Sequence, residues 1–172
     1  ESYLKSVHRN DKNAKTCEDE FARGCDDVAK MVYDMPDVYE GAAESLHRIA
    51  IGIRRRLAQK NPIVYEGVLA SSCYSLAYLL QNHGKTEAAE PFYREALEIY
   101  RRLAGRDPVA YEIDLATNCY YLAYLLEDRG AIEEAEDLYR KTLKIYRRLV
   151  EKQPVAYDAD LAVVCHKLAC LL

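Results

Sequence analysis

The sequence contains few residues that interrupt helices, with only seven glycines and five prolines among 172 residues. Half of the residues are apolar, which is enough to form a sizeable core and argues against disorder. Alanine, leucine, glutamate, arginine and tyrosine are abundant, a composition typical of helices joined by short turns. We therefore expect an all-α fold.

The chain also lacks an excess of positive charge, since its formal net charge is -4. Binding to nucleic acid or to anionic lipid without sequence specificity requires clustered lysine and arginine, so neither is an expected partner. No run of about 18 apolar residues occurs, and the first residues, ESYLKSVH, lack the basic-then-apolar order of a secretion signal. We expect a soluble, cytoplasmic protein.

Three similar segments recur with a period of 46 residues, beginning at Tyr65, Tyr111 and Tyr157 and reading YEGVLA, YEIDLA and YDADLA. A fixed period of this length is typical of helical repeat arrays. The same spacing relates further residues of one type: Pro62, Pro108 and Pro154; Cys73, Cys119 and Cys165; Gly84 and Gly130; Ala89 and Ala135; Tyr93 and Tyr139.

Each repeat contains two amphipathic helices. Helix A has apolar residues at the spacing of one helix face: Leu69, Cys73, Leu76, Ala77 and Leu80. Gly84 or Gly130 is placed to end helix A in a left-handed conformation. Helix B begins near Glu87 or Glu133 and carries its own apolar face: Ala89, Tyr93, Ala96, Leu97, Tyr100 and Leu103. It ends before Pro108 or Pro154, because the residue before proline disfavours the α region.

We predict one domain over residues 1–172, and it divides into five parts. We predict the tail of a preceding helix and a linker at 1–16, a divergent repeat at 17–64, repeats at 65–110 and 111–156, and the first helix of a further repeat at 157–172. The divergent repeat has two extra residues within Tyr33–Tyr39, where Pro36 replaces the helix-ending glycine. Because the last helix is apolar, we expect the native chain to continue beyond Leu172 or this end to pack on a partner.

The positions of Leu76, Ala77, Leu80, Gly84, Ala89, Tyr93 and Ala96 resemble the tetratricopeptide repeat signature. In the second copy Thr142 replaces the last small alanine. The long period is similar to that of kinesin light chain repeats and of bacterial arrays. The resemblance covers residues 17–172 and implies a right-handed superhelical solenoid of antiparallel helix pairs with about three and a half repeats. It also implies a non-enzymatic module that binds proteins or peptides on the concave face lined by the A helices.

On a helical wheel, one set of side chains points toward that concave face. These candidate ligand-binding residues are Asp26, Lys30, Tyr33, Tyr74, Tyr78, Gln81, Tyr120, Tyr124, Glu127 and His166. Tyrosine offers a large contact area at low entropic cost and a hydroxyl for the backbone of an extended peptide. The alternative for Tyr78 and Tyr124 is that they fill gaps between adjacent A helices.

Other polar residues have structural interpretations. Cysteines at one repeat position lie too far apart to share an ion, and no four-ligand zinc spacing occurs, so we expect small buried thiols and no metal or cofactor. Arg54–Arg56, Arg101–Arg102 and Arg147–Arg148 lie near the ends of B helices, where they complement the helix dipole, although polyanion binding is an alternative. The histidines suggest no catalytic pair with a nucleophile, and His47, at the Tyr93 position, is expected in the core or at its boundary.

Two functions from different classes fit these observations. The first is a scaffold or sensor that captures a protein or peptide segment on its concave face. The second is a structural spacer or self-association segment, joined through the apolar C-terminal helix, of a larger multidomain protein. Bacterial arrays of the type resembled are often attached to signalling ATPases, but no GxxxxGK[ST] phosphate loop occurs in this sequence.

Overall fold

The computed structural model describes the backbone of residues 2–33 and 36–171 and the side chains of residues 16–31 and 41–171. Those residues form helices joined by short turns, so the expected all-α fold is confirmed. The helices are α1 (Ser2–Tyr33), α2 (Pro36–Lys60), α3 (Pro62–Asn82), α4 (Thr86–Arg106), α5 (Pro108–Asp128), α6 (Ile132–Lys152) and α7 (Pro154–Leu171).

Glycine and proline end and begin the helices where the sequence predicted. Gly84 and Gly130 have φ angles of 71° and 76°, in the left-handed region that favours glycine. After Gly84, the Lys85 N–H donates to the carbonyl of Leu80 at 2.8 Å, which satisfies an otherwise open carbonyl at the end of α3. Pro108 opens α5, and the carboxylate of Asp107 accepts from the Ala110 N–H at 3.1 Å as an N-cap.

The chain forms two compact units, an N-terminal unit of residues 1–79 and a C-terminal unit of residues 80–172. In the N-terminal unit, α1 packs on α2. Part of its core consists of small and aliphatic side chains: Ala22, Cys25, Ala50, Ile53 and Leu57, with Leu46 and Tyr65 against them. Small residues on α1 let the two helices approach closely.

In the C-terminal unit, α4 packs on α5, α5 packs on α6, and α6 packs on α7. Tyr93 and Tyr139, at the same position of two B helices, are fully buried, as are Ala89 and Ala135 one turn before them. The amphipathic pattern of the B helices is therefore confirmed in both repeats.

Three features differ from the sequence predictions. α1 runs without a break from Ser2 to Tyr33, through the linker predicted within residues 1–16. Pro36 begins α2 instead of only ending α1, because proline fits the first turn of a helix, where its missing N–H costs nothing. Cys165 is exposed although Cys73 and Cys119 are buried, because among the described residues no further helix packs over that face of α7.

Among the described residues, α3 is long and apolar enough, by length and composition alone, to cross a membrane. The helix is not a continuous apolar run, because it includes Glu66 and three serines. Its apolar residues are the predicted core positions of a repeat helix, and Leu69, Cys73, Leu76, Ala77 and Leu80 are all at most 5% exposed. Burial of that face accounts for the hydropathy of α3 in the way expected for a core helix.

Candidate functional site

Three of the predicted ligand-binding residues line one pocket of the N-terminal unit. Lys30, on α1, meets Tyr74 and Tyr78, on α3, around a volume of about 340 Å³. The two tyrosine rings stack one helix turn apart, with centroids separated by 6.2 Å and planes inclined by 20°. Four further lining residues were not predicted as site residues: Ala29, His47, Ser75 and Leu79.

A buried polar network lies beside this pocket and joins α1, α2 and α3. His47 Nδ1 lies 2.9 Å from Asp26 Oδ1, while Arg54 Nη1 donates to the other carboxylate oxygen and contacts the Ser72 hydroxyl. Ser72 Oγ in turn donates to Asp26 Oδ2 at 3.1 Å. Burial alone would raise the pKa of Asp26, but the hydrogen bond from His47 and the Arg54 charge outweigh it and hold that pKa below its usual value.

This network corrects two predictions. Asp26 was placed on an open concave face, yet it is 9% exposed and its carboxylate is occupied by three neighbouring side chains. Arg54 was expected to complement the dipole at the end of a B helix, yet it is 4% exposed and paired with Asp26. A buried carboxylate needs an opposite charge beside it, and so does a buried guanidinium. Asp26 and Arg54 can therefore be buried together because each is the counter-ion of the other. The prediction that His47 lies in the core is confirmed.

In the C-terminal unit, three of the predicted residues belong to an aromatic and charged cluster. Tyr124 is 45% exposed, and the Lys167 ammonium lies 4.4 Å from its ring centroid. Lys167 also pairs with Glu127 at 3.1 Å. Tyr120 meets the buried Tyr139 edge-on, with centroids 5.7 Å apart. Lys167 was not among the predicted site residues, although it is a charged residue that directly follows His166 in the sequence.

Gln81 and Glu127 share a structural role that sequence reasoning missed. Tyr93 donates its hydroxyl to Gln81 Oε1 at 2.8 Å, and Tyr139 donates to Glu127 Oε2 at 2.7 Å. Burial and the bond to Glu127 both raise the pKa of Tyr139, so it stays a neutral donor. Gln81 and Glu127 each lie 12 residues before the tyrosine that they bind, and this equal spacing could have identified both pairs from the sequence. Each of these predicted ligand contacts therefore anchors a core tyrosine.

The remaining predicted residues are separate from these contacts. His166 is exposed on α7, with its Nε2 atom 3.7 Å from Cys170 Sγ. Tyr33 lies at the end of α1, but its side chain is outside the described residues.

A second pocket, of about 350 Å³, lies between α5, α6 and α7. Tyr120 is one of its lining residues; the others are Ile113, Thr117, Tyr121, Tyr146, Asp160, Val163 and Val164. Of these, only Tyr120 was predicted as a site residue. The prediction followed one face of the A helix and omitted Tyr121 and the B-helix residue Tyr146.

Within the described part of the chain, no group of three or more histidine, cysteine, aspartate and glutamate side chains is placed to hold a metal ion. Cys25, Cys73 and Cys119 are buried as predicted, and burial raises the pKa of the Cys119 thiol to about 11. A buried thiol of this kind is chemically inert.

A solved structure supports the same architecture. The crystal structure of BtubC (BKLC) from P. vanneervenii is similar in fold, with a TM-score of 0.63 and 23% identity, over 84% of this chain and 54% of that one. The chain thus spans about half the length of BtubC. The de novo designed helical repeat protein DHR64 has a lower TM-score of 0.41 and 15% identity, over 98% of this chain and 87% of that one. The sequence has no significant match among curated proteins.

The two best-defined repeats also match a family model. That model, described as tetratricopeptide repeat, covers residues 69–110 and 119–154. Each match includes the C-terminal part of an A helix, α3 or α5, and the whole of the following B helix, α4 or α6. These two segments therefore match the tetratricopeptide repeat family, the family that the sequence predicted.

Proposed function

We propose that this chain acts as a scaffold for protein–protein interaction, as tetratricopeptide repeats generally do. It binds an extended protein or peptide segment, which contacts the N-terminal unit at Lys30, Tyr74 and Tyr78. The observation that carries the proposal is the pocket that these residues line together.

The chemistry of this pocket suits an extended segment. Stacked Tyr74 and Tyr78 present aromatic surface already fixed in one arrangement, so binding sacrifices little side-chain entropy. The Lys30 ammonium adds a cation to the lining, and the Ser75 hydroxyl adds a group able to bond a peptide backbone. A pocket of about 340 Å³ has the size of a site for one or two side chains of a partner.

The C-terminal unit contributes a second, weaker contact in this proposal. Tyr124 offers exposed aromatic surface, but Lys167 lies over its ring and Glu127 neutralises Lys167. A ligand that contacts Tyr124 would have to displace Lys167 from the ring or pack against it. We therefore expect the N-terminal pocket to account for most of the affinity.

A phage-displayed random peptide library, selected on the immobilised chain, supplies a probe for the test. Binding of the enriched peptide is then measured by fluorescence anisotropy for Tyr74→Ala and Tyr78→Ala. We expect each variant to lose at least about 2 kcal/mol of binding free energy, the size of an interface hot spot. Ile63→Ala, at an 84% exposed position of the same helix, serves as the matched control and is expected to bind normally.

Circular dichroism must show unchanged helicity in all three variants. Peptides that bind both tyrosine variants as tightly as the parent chain would remove the pocket from the proposal. Failure to enrich any peptide would favour the alternative function below.

The alternative is a spacer or self-association segment, and one observation favours it. On α7, Ala162, Cys165 and Ala169 are exposed, whereas the equivalent Ala116, Cys119 and Ala123 of α5 are at most 1% exposed. An apolar face of this kind is suited to packing on another protein surface.

A further inference from the structure

The last helix carries a pair of metal-ligating side chains that the proposed function does not use. His166 and Cys170 are separated by four residues on α7, which places them on the same face one turn apart. Both are exposed, and His166 Nε2 lies 3.7 Å from Cys170 Sγ.

That separation is close to the distance between two ligands on one zinc ion. With about 2.3 Å from zinc to sulfur and about 2.0–2.1 Å from zinc to imidazole nitrogen, tetrahedral angles place the two ligand atoms about 3.6 Å apart. The two donor atoms therefore need almost no rearrangement to bind one cation. Two ligands at i and i+4 on a rigid helix are also ordered before the metal arrives, which lowers the entropic cost of chelation.

Comparison of the repeats shows that both positions changed together. The residues equivalent to His166 and Cys170, at the period of 46, are Tyr74 and Tyr78 on α3 and Tyr120 and Tyr124 on α5. Thus the two tyrosines of α3 and of α5 are replaced in α7 by one imidazole and one thiol. Imidazole and thiolate are the preferred protein ligands of zinc.

We propose that His166 and Cys170 chelate a zinc-class divalent cation through Nε2 and Sγ. Coordination replaces the S–H bond of Cys170 by a sulfur–metal bond and releases one proton to solvent. His166 lends the lone pair of Nε2 and keeps its proton on Nδ1. Water fills the two coordination positions that remain, because the pair provides only two of the four ligands of a tetrahedral site.

The chelate was missed in the sequence because zinc sites were sought as four-ligand sets. A two-ligand pair on one helix turn is a smaller motif. Its ligands become recognisable only when the repeat alignment shows that tyrosines occupy the same positions elsewhere.

Co²⁺ is a suitable probe, because a cobalt–thiolate bond gives a charge-transfer absorption band that a cobalt–imidazole bond does not. The intact chain, kept reduced, is titrated with Co²⁺ and then with Zn²⁺ as a competitor. We expect a thiolate band that Zn²⁺ removes, and its absence in Cys170→Ser. In His166→Ala the Co²⁺ concentration at half-saturation should rise at least about tenfold, since loss of even an outer-shell partner costs that much.

Cys165→Ser is the matched control, because Cys165 is an exposed cysteine of the same helix that points away from the pair by its helical position. It should leave the titration unchanged. The proposal fails if the parent chain shows no thiolate band, if the band persists in Cys170→Ser, if His166→Ala titrates like the parent chain, or if Cys165→Ser abolishes the band. None of these readouts depends on peptide binding, so this proposal and the proposed function can fail separately.

Discussion

Asp26 illustrates how one residue depends on its neighbours for its place in the fold. An isolated carboxylate in the core would cost several kcal/mol, but His47, Arg54 and Ser72 surround this one with hydrogen bonds. Asp26 lies on α1, whereas His47 and Arg54 lie on α2 and Ser72 lies on α3. The charge is therefore tolerated only because α1, α2 and α3 are already assembled around it.

The lowered pKa of Asp26 predicts a stability that depends on pH. Because the folded pKa lies below the unfolded value of about 3.9, the carboxylate stabilises the fold above that pH and loses its contribution as pH falls through the folded pKa. Asp26→Asn should therefore unfold more easily than the parent chain at pH 7, and the difference should shrink below about pH 4. Thermal unfolding followed by circular dichroism across this range measures it.

Asp27→Asn provides the control for that titration, because Asp27 is the next residue of α1 and is exposed. Its unfolding profile should follow that of the parent chain. A constant difference between Asp26→Asn and the parent chain at all pH values would contradict the role assigned to the ionised carboxylate.

The glycines of the two repeat turns give a second prediction for single residues. Gly84 and Gly130 adopt positive φ, and a Cβ atom at either position would meet no heavy atom within 4 Å. Any cost of alanine there therefore comes from the backbone, and each substitution should destabilise the fold by about 1–2 kcal/mol.

Gly105 is the matched control, because it lies inside α4 with open space at its Cβ position and no positive φ. Gly105→Ala should stabilise the protein by up to about 1 kcal/mol, since alanine is the better helix former. Urea unfolding of the three variants measures whether each substitution lowers or raises the free energy of unfolding. Equal effects at all three glycines would refute the argument from φ.

At the scale of the helices, the period of 46 residues predicted most of the fold. It placed the ends of α3, α4, α5 and α6 correctly, because glycine and proline act locally and the apolar face repeats in register. It also identified Tyr93 and Tyr139 as core residues. The same pattern was wrong for the first repeat, where a polar network replaces aromatic packing.

That failure has an identifiable cause. Asp26, His47 and Arg54 occupy the positions of Tyr120, Tyr139 and Tyr146, respectively, at the offsets that align the first repeat with the later ones. Considered one at a time, Asp26 was assigned to a groove and Arg54 to a helix end. Three tyrosines replaced together by an acid and two bases indicate that the replacements pair with one another, a conclusion that requires comparing all three positions at once.

Replacement of all three network residues together should therefore preserve the stability of the fold, whereas replacement of Asp26 alone should lower it. Asp26→Ala leaves Arg54 buried without its counter-ion and should destabilise the protein by about 3–5 kcal/mol. The triple variant Asp26→Tyr, His47→Tyr and Arg54→Tyr restores the residues of the later repeats. It should be at least as stable as the parent chain, because well-packed side chains replace buried ion pairs at no cost or with a gain of about 1–4 kcal/mol.

Chemical unfolding of the single and triple variants tests this prediction. A triple variant less stable than Asp26→Ala would show that the two-residue insertion has given the first repeat a core that only the polar network fits.

For the whole molecule, the sequence predicted a single row of ligand-binding residues from Asp26 to His166. The structure places Lys30, Tyr74 and Tyr78 around one pocket of the N-terminal unit, and Tyr124, Glu127 and Lys167 in one cluster of the C-terminal unit. A helical wheel gives the direction of a side chain but not its partners. It could not show that Gln81 and Glu127 are engaged by core tyrosines.

The exposed apolar face of α7 determines how whole chains should behave in solution. Ala162 and Ala169 lie where α5 has its fully buried alanines, so a second copy that packs there would bury the same small side chains. If the chain self-associates, the average mass from multi-angle light scattering should rise with protein concentration. Ala162→Glu and Ala169→Glu place a charge in that face and should raise the dissociation constant at least about tenfold, equivalent to about 1.4 kcal/mol.

Val155→Glu is the control, because Val155 belongs to the same helix and is fully exposed, as its repeat equivalent Val109 is at 88%. Since neither valine is covered by a neighbouring helix, a charge there should leave the mass unchanged. A parent chain that stays monomeric at every concentration and still binds a selected peptide would exclude self-association and leave peptide capture as the function of the isolated repeats. Oligomers that both alanine variants disperse, without loss of helicity, would establish α7 as the contact surface.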